Sequence, residues 1–390
     1  MQHLMSTYNR LPIAFSKGEG IWLEDTDGKR YLDALSGIAV CGLGHCHPAV
    51  SEALCTQSQT LVHTSNIYEI PLQSQLADRL AKLTGMDRIF FGNSGAEANE
   101  AALKLARLYG HKRGIDTPSV LVCDGSFHGR TMATLSATAN RKVQAGFEPL
   151  LRGFSRIPYN DIEAVKNAAN NDANVVAILV EPVQGEGGIN IPDADYLAEL
   201  RKICDANEWL LMLDEIQTGM GRTGRMFAHQ HSGITPDVMT LAKALGNGMP
   251  IGACLVSGKA ADVLGPGSHG STFGGNPLAC SAAMAVLDVI EQEDLASRAT
   301  ENGNLLGELL TENLADREGV REIRQFGLMI GIELDKPCGE LVMQAAEAGL
   351  LINVTADRVI RLLPPLVCDA DDIRQISERL LPIIIEFIES

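Results

Sequence analysis

A series of short, almost unbroken apolar runs, separated by stretches with helical spacing, constrains this chain more than any other feature. The runs at 88–92, 120–124, 175–181, 210–215, 238–242 and 252–257 are strand-length. A strand reads as continuously apolar when both faces of its sheet are covered, as in a parallel sheet wrapped by helices. Residues 96–109, 162–169 and 195–207 carry the spacing of such helices. The alternation predicts a large, doubly wound α/β domain over residues 50–285. Before it, residues 20–32 alternate apolar and polar and break at Asp27-Gly28, the pattern of a hairpin. From about residue 290 the chain reads as helix, strands, helix, a separate α+β layer.

Charge and cysteine usage narrow the function. The net charge of -17 repels phosphate backbones and anionic lipid, so no nucleic-acid or membrane partner is expected. Local donors can still hold a small anion. The nine cysteines are odd in number and include no C-x-x-C pair, which reads as reduced thiols of a cytoplasmic protein. Residues 1–15 show no basic patch followed by an apolar run, so no signal peptide is expected. Apolar stretches such as Val175–Val180 fall far short of a membrane span.

Two constellations carry chemistry. An apolar strand ends in Asp214-Glu215-Ile216-Gln217, at the carboxyl end where open α/β sheets bind ligands. The next strand delivers Lys243 in an apolar setting, where desolvation favours the neutral amine, a nucleophile for carbonyls. An acid beside a pyridine nitrogen would keep that ring an electron sink. Taken alone, the pair reads better as a strand-end acid and a snorkelling lysine. The second constellation runs from a strand into Ser94-Gly95-Ala96-Glu97 and a long helix. It is either a capping box or a phosphate seat on the N–H groups of Gly95 and Ala96, with Glu97 turned away.

Two other motifs are set aside. Gly219-Met-Gly221-Arg-Thr-Gly224 matches a dinucleotide fingerprint, but no clean helix follows and the acids precede the loop. His45-Cys46-His47 cannot present three ligands to one ion from a short turn, so no metal is expected.

The motifs Asn93-Ser-Gly-Ala-Glu-Ala, Phe127-His-Gly-Arg130-Thr, Glu181-Pro-Val-Gln-Gly-Glu186-Gly-Gly, Asp214-Glu-Ile-Gln217-Thr-Gly, Ala242-Lys243-Ala-Leu-Gly and Ser268-His-Gly-Ser271-Thr272-Phe-Gly-Gly-Asn-Pro stand in one order. Together they resemble the class III, pyridoxal-phosphate-dependent aminotransferases, over essentially the whole chain. The resemblance implies the aspartate-aminotransferase-like fold (fold type I), with residues 1–49 and 286–390 forming one small α+β domain. It also implies pyridoxal 5'-phosphate held by Lys243 as a Schiff base, with Lys243 then serving as acid and base. Asp214 would pair with the pyridine nitrogen, and Gln217 would reach the phenolic oxygen. Ile216 and Phe127 would cover the ring faces. Gly95 and Ala96 would hold the phosphate, with Thr272 reaching it from the neighbouring subunit of a homodimer. The implied cofactor set also includes Glu215. Position 96 is alanine where many relatives have a hydroxyl, so one phosphate contact is missing.

Arg130, helped by Ser271, would bind a substrate carboxylate. Arg361 would bind the α-carboxylate of glutamate, with Glu186 masking it. The implied reaction takes the terminal amine of N2-acetylornithine to 2-oxoglutarate. Ornithine, succinylornithine, succinyldiaminopimelate and 4-aminobutyrate are alternative donors, and an aminomutase or a nucleotide-dependent oxidoreductase is the alternative class. Tyr8 is read either as closing the pocket or as terminal packing.

Overall fold

The computed structural model describes residues 3–390; residues 1 and 2 of the stretch read for a signal peptide lie outside them. The chain opens on strands β1 (Phe15–Glu19), β2 (Trp22–Asp25) and β3 (Arg30–Asp33). Its middle holds β4 (Arg88–Gly92), β5 (Ser119–Cys123), β6 (Phe154–Ile157), β7 (Val175–Val180), β8 (Leu210–Asp214), β9 (Val238–Leu241) and β10 (Gly252–Val256). Its end holds β11 (Val320–Phe326), β12 (Met329–Leu334), β13 (Leu350–Leu351), β14 (Asn353–Thr355) and β15 (Val359–Leu362).

The middle strands form one sheet in the order β4-β10-β9-β8-β7-β5-β6. Successive side chains on a strand point to opposite faces, and here both faces are apolar. Val120, Val122, Leu179 and Met212 pack with Ala101, Ala102 and Leu105 of the helix Gly95–Lys112. Their neighbours Leu121, Ile178, Val180 and Leu213 pack with Val165 of Ile162–Asn171 and Leu197 of Tyr196–Ala206. Each fully buried Val, Leu, Ile or Met among them contributes about 1.5–3 kcal/mol. That is the physical content of a doubly wound sheet.

The purely parallel expectation fails at one strand. β10 runs antiparallel to both β4 and β9. Only a loop with a single helical turn, Lys243–Leu245, links β9 to β10, and a connection that short reaches only an antiparallel neighbour. The same short loop holds Lys243. β6 is a strand the apolar pattern did not mark: it lies at the sheet edge, and Ser155 and Arg156 interrupt its apolar run.

At the chain's start, β2 and β3 pair antiparallel. Asp25 Oδ1 accepts the N–H groups of Asp27 and Lys29, and Gly28 takes φ 84, so Asp27-Gly28 makes the turn. β13 adds to β3 in parallel, and β11-β12-β15-β14 form a third sheet. Leu32, Leu76, Leu241, Leu287, Leu306 and Ile360 belong to one buried cluster, so chain ends and middle share a core.

The glycine-rich loop after β8 is built for close packing. A Cβ on Gly219 would lie 2.9 Å from the Glu215 carbonyl oxygen, and one on Gly224 only 2.2 Å from Thr300 Oγ1. A short 3-10 turn, Ala228–Ser232, follows and ends at Gly233. In the other motif set aside, His45 Nε2 pairs with Asp33 Oδ2 at 2.8 Å, and that bond raises the imidazole to about 10. All nine cysteines are free thiols, and among the described residues no helix is long and apolar enough to cross a membrane.

Candidate active site

A cavity of about 390 Å³ opens at the carboxyl ends of β8 and β9. Its walls bring together segments far apart in sequence: Asn93 to Ala96, Phe127 to Arg130, Glu186, Asp214, Gln217 and Lys243. Most of the anticipated residues therefore meet in one place.

Asp214 ends β8 and is buried at the cavity floor. Its Oδ2 accepts from Asn99 Nδ2 and from His128 Nδ1, both at 2.8 Å. Because a carboxylate only accepts, His128 carries its proton on Nδ1. Thr240 donates to Asn99 Oδ1 at 2.8 Å, which fixes the amide so that its NH₂ faces Asp214. Oδ1 accepts only the Ile216 N–H, at 3.1 Å, leaving a lone pair for a further donor. Three side chains, Asn99, His128 and Thr240, thus aim one carboxylate. Asn99 and Thr240 were not anticipated from the sequence. A polar residue on the helix face that buries Ala98, Ala102 and Ala106 was the available signal for Asn99.

Lys243 begins the short turn after β9 at φ 44, a left-handed conformation uncommon for a residue with a side chain. Such backbone strain persists only where the surroundings over-determine it. Burial holds the amine below the ordinary lysine range, and the Arg361 guanidinium pushes the same way. Among the described residues Lys243 enters no ion pair, although its side chain lines the cavity. That shift favours the neutral form of the amine, the form that attacks a carbonyl.

The helix Gly95–Lys112 points its N-terminus at the cavity, where first-turn N–H groups lack intrahelical acceptors. Ser94 Oγ accepts the Glu97 N–H at 3.2 Å, one half of a capping box. The Glu97 carboxylate does not complete the box; it folds back to the side chain of Asn93 at 2.8 Å and stays off the cavity wall. Gly95 has to be glycine, since a Cβ there would sit 2.7 Å from Ile216 Cδ1. Ala96 lines the cavity with no hydroxyl to offer. Phe127 and Ile216 supply apolar wall, and Gln217 Oε1 is buried without a hydrogen-bond partner.

Arg361 lies on β15, fully buried. Its Nη1 donates to Glu186 Oε1 at 2.8 Å and its Nε to Asn353 Oδ1 at 2.9 Å, while Nη2 is buried with no partner. Glu186 is about one-third exposed on the cavity side, so a polar ligand can reach this pair. Arg130 is exposed, and its guanidinium sits 5.6 Å from the Phe127 ring centre.

Other anticipated residues lie elsewhere. Ser271 Oγ accepts from Asn93 Nδ2 at 3.2 Å and from Gly274 N–H at 3.0 Å, and Thr272 is exposed; neither lines the cavity of its own chain. Glu215 is a correction. One residue past Asp214, it faces the other way and accepts the N–H groups of Ala228 and His229, capping the turn after the glycine-rich loop. Tyr8 is exposed and sits beside Arg10.

A nucleophilic lysine and an aimed carboxylate in one cavity match a known family. The sequence matches Aminotransferase class-III over residues 4–384. The chain belongs to the class-III aminotransferases. It is 59% identical to the acetylornithine aminotransferase of Nitrosomonas europaea, covering 100% of this chain and 99% of that one. Its fold matches the ornithine aminotransferase of Toxoplasma gondii with partial occupancy of pyridoxal phosphate at the active site (TM-score 0.95, 37% identity, 100% and 94% covered). It also matches the acetylornithine aminotransferase of Elizabethkingia anophelis (TM-score 0.88, 35% identity, 99% and 97% covered). Pyridoxal phosphate is the cofactor of this aminotransferase. The cavity fits it: a helix N-terminus for an anion, and an acceptor on Asp214 Oδ1 for a protonated ring nitrogen.

Proposed function

We propose that this aminotransferase moves the terminal amine of N2-acetylornithine to 2-oxoglutarate, giving N-acetylglutamate 5-semialdehyde and glutamate, a step of arginine biosynthesis. The Arg361–Glu186 pair beside Lys243 carries the mechanistic reading. The named activity of relatives up to 59% identical supports the donor. Ornithine is the second reading, because a 37%-identical fold neighbour acts on it by name. A screen of amine donors against 2-oxoglutarate separates them; ornithine turning over faster than acetylornithine would reverse the order.

Bound in the cavity, pyridoxal phosphate supplies an electron sink for the carbon that loses a proton. The protein does the rest. Lys243 would hold the cofactor through Nζ and would serve as the acid and base that moves the substrate's proton. Asp214, fixed by Asn99 and His128, would hold the proton on the ring nitrogen. Phe127 and Ile216 would cover the ring faces, and Gln217 would reach the phenolic oxygen. Gly95 and Ala96 would hold the phosphate by backbone N–H groups. Arg130 would take the distant carboxylate of the donor, helped by Ser271 across the subunit interface.

One pocket serves two donors through Arg361. Glutamate needs its α-carboxylate on this guanidinium, whereas acetylornithine needs it masked. Glu186 masks it, and a charge-assisted bond can be exchanged for a substrate carboxylate. Glu186→Ala is expected to raise the glutamate half-reaction at least about fivefold relative to the acetylornithine half-reaction, the loss of one charge-assisted pair. Arg361→Ala should do the reverse. Single-turnover spectroscopy of each half-reaction reads both, and equal losses in both halves would leave only a structural ion pair.

The working unit in this reading is a cytoplasmic homodimer with shared sites. Thr272, exposed and off its own cavity, completes the partner's phosphate site, and a two-fold pair is the commonest closed assembly. Mixing inactive Lys243→Ala with an inactivating Thr272→Asp is expected to restore about a quarter of wild-type sites, since half of randomly paired dimers carry one intact site. Failure to restore activity in verified mixed dimers would sink the shared site.

A further inference from the structure

Glu181 is a buried carboxylate on the cavity wall that the proposed chemistry leaves unused. It stands one residue past β7. Its Oε1 accepts the Phe127 N–H at 3.0 Å and its Oε2 accepts the Gly185 N–H at 3.2 Å. One carboxylate therefore ties the loop of Phe127 and Arg130 to the loop of Gly185 and Glu186. Gly185 is itself wedged against Gln217, for a Cβ there would lie 2.2 Å from Gln217 Oε1. On the far side, the Thr355 hydroxyl donates to the Glu186 carbonyl oxygen at 2.5 Å. The backbone at Glu186 is pinned from both ends, and its side chain reaches Arg361.

We infer that Glu181 is a positioning residue that holds Glu186 on Arg361 and so sets the balance between the two half-reactions. The inference rests on the reading of Glu186 and Arg361 as a gate.

The tie depends on the charge of Glu181. The groups acting on it are His128, Asp214 and Lys243, with Tyr159 and Cys123 behind. Burial raises its carboxyl to about 7, against the pull of His128 and with Asp214 adding to the rise. Ionised, both oxygens accept; protonated, one oxygen carries hydrogen and an N–H bond is weakened. The tie is intact above about pH 7 and slack below it. A slack tie frees Glu186 from Arg361, which favours glutamate.

The test is the ratio of glutamate to acetylornithine half-reaction rates in the holoenzyme. In the wild type it should rise about fivefold as pH falls through neutrality, the worth of one net hydrogen bond. Glu181→Gln puts an NH₂ against one of the two N–H groups, so its ratio should be about fivefold higher at alkaline pH and flat with pH. Infrared difference spectra of the holoenzyme should show a carboxyl band titrating near neutrality that Glu181→Gln lacks. A wild-type ratio flat with pH, which needs no variant to fold, overturns the inference. So does Glu181→Gln slowing both half-reactions equally. Glu186→Ala separates the two failures. If it moves the ratio and Glu181→Gln does not, only Glu181 is misassigned; if it does not move the ratio, the gate is wrong and this inference falls with it.

Discussion

Replacing Asp214 by asparagine is expected to slow both half-reactions by roughly 10²–10⁴-fold while leaving the fold and cofactor content intact. The magnitude comes from a buried charge pair that loses one member, which costs about 3–5 kcal/mol, at about 1.4 kcal/mol per decade of rate. Asparagine keeps the shape at the end of β8 and an acceptor for Asn99 or His128, so the walls of the cavity stay in place. What it loses is the charge that, in the proposed mechanism, keeps a ring nitrogen protonated. Stopped-flow rates with each donor measure the effect, and circular dichroism checks the fold. A rate within tenfold of wild type would mean that the Asn99–Asp214–His128 network is only structural.

Lys243→Ala has the larger expected effect. Proton transfer by a positioned side chain contributes about 10²–10⁴-fold, and in the proposed mechanism this variant loses that together with the attachment of the cofactor. Overall turnover should fall by at least about 10⁴-fold. Added methylamine should restore part of the proton transfer, because a small amine fits the space the side chain vacates. The pH dependence has a definite sign. Burial and Arg361 lower the Lys243 amine, so its neutral form prevails at a lower pH than for an exposed lysine. Removing Arg361 takes away one lowering influence, and the alkaline shift of the cofactor's visible band in Arg361→Ala should follow.

The sheet was legible because burial on both faces leaves an unmistakable run of Val, Ile and Leu, as in β7. β6 was not, since an edge strand needs no such run and carries Ser155 and Arg156. The direction of β10 was hidden because an apolar run has no polarity; the short loop from β9 decides it. At the site, Asp214 and Lys243 stood out as polar groups ending apolar strands. Glu215 was grouped with them by adjacency, yet neighbouring residues leave a strand on opposite sides, and this one caps the turn at Ala228. Asn99 and Thr240 act at the second remove, through the carboxylate they aim, and no spacing in the sequence marks that. The pairing of Glu186 with Arg361 joins residues at 2.8 Å that lie far apart in the chain, and it was reached only through resemblance.

The central claim is that Lys243 is the covalent seat of the cofactor in a class-III aminotransferase. Reducing the holoenzyme with borohydride makes the lysine–cofactor link permanent, and peptide mass mapping locates it. A single phosphopyridoxyl mark is expected, on the peptide containing Lys243, with the visible band bleached in step. A mark on any other lysine, or bleaching without a mark at Lys243, would contradict it.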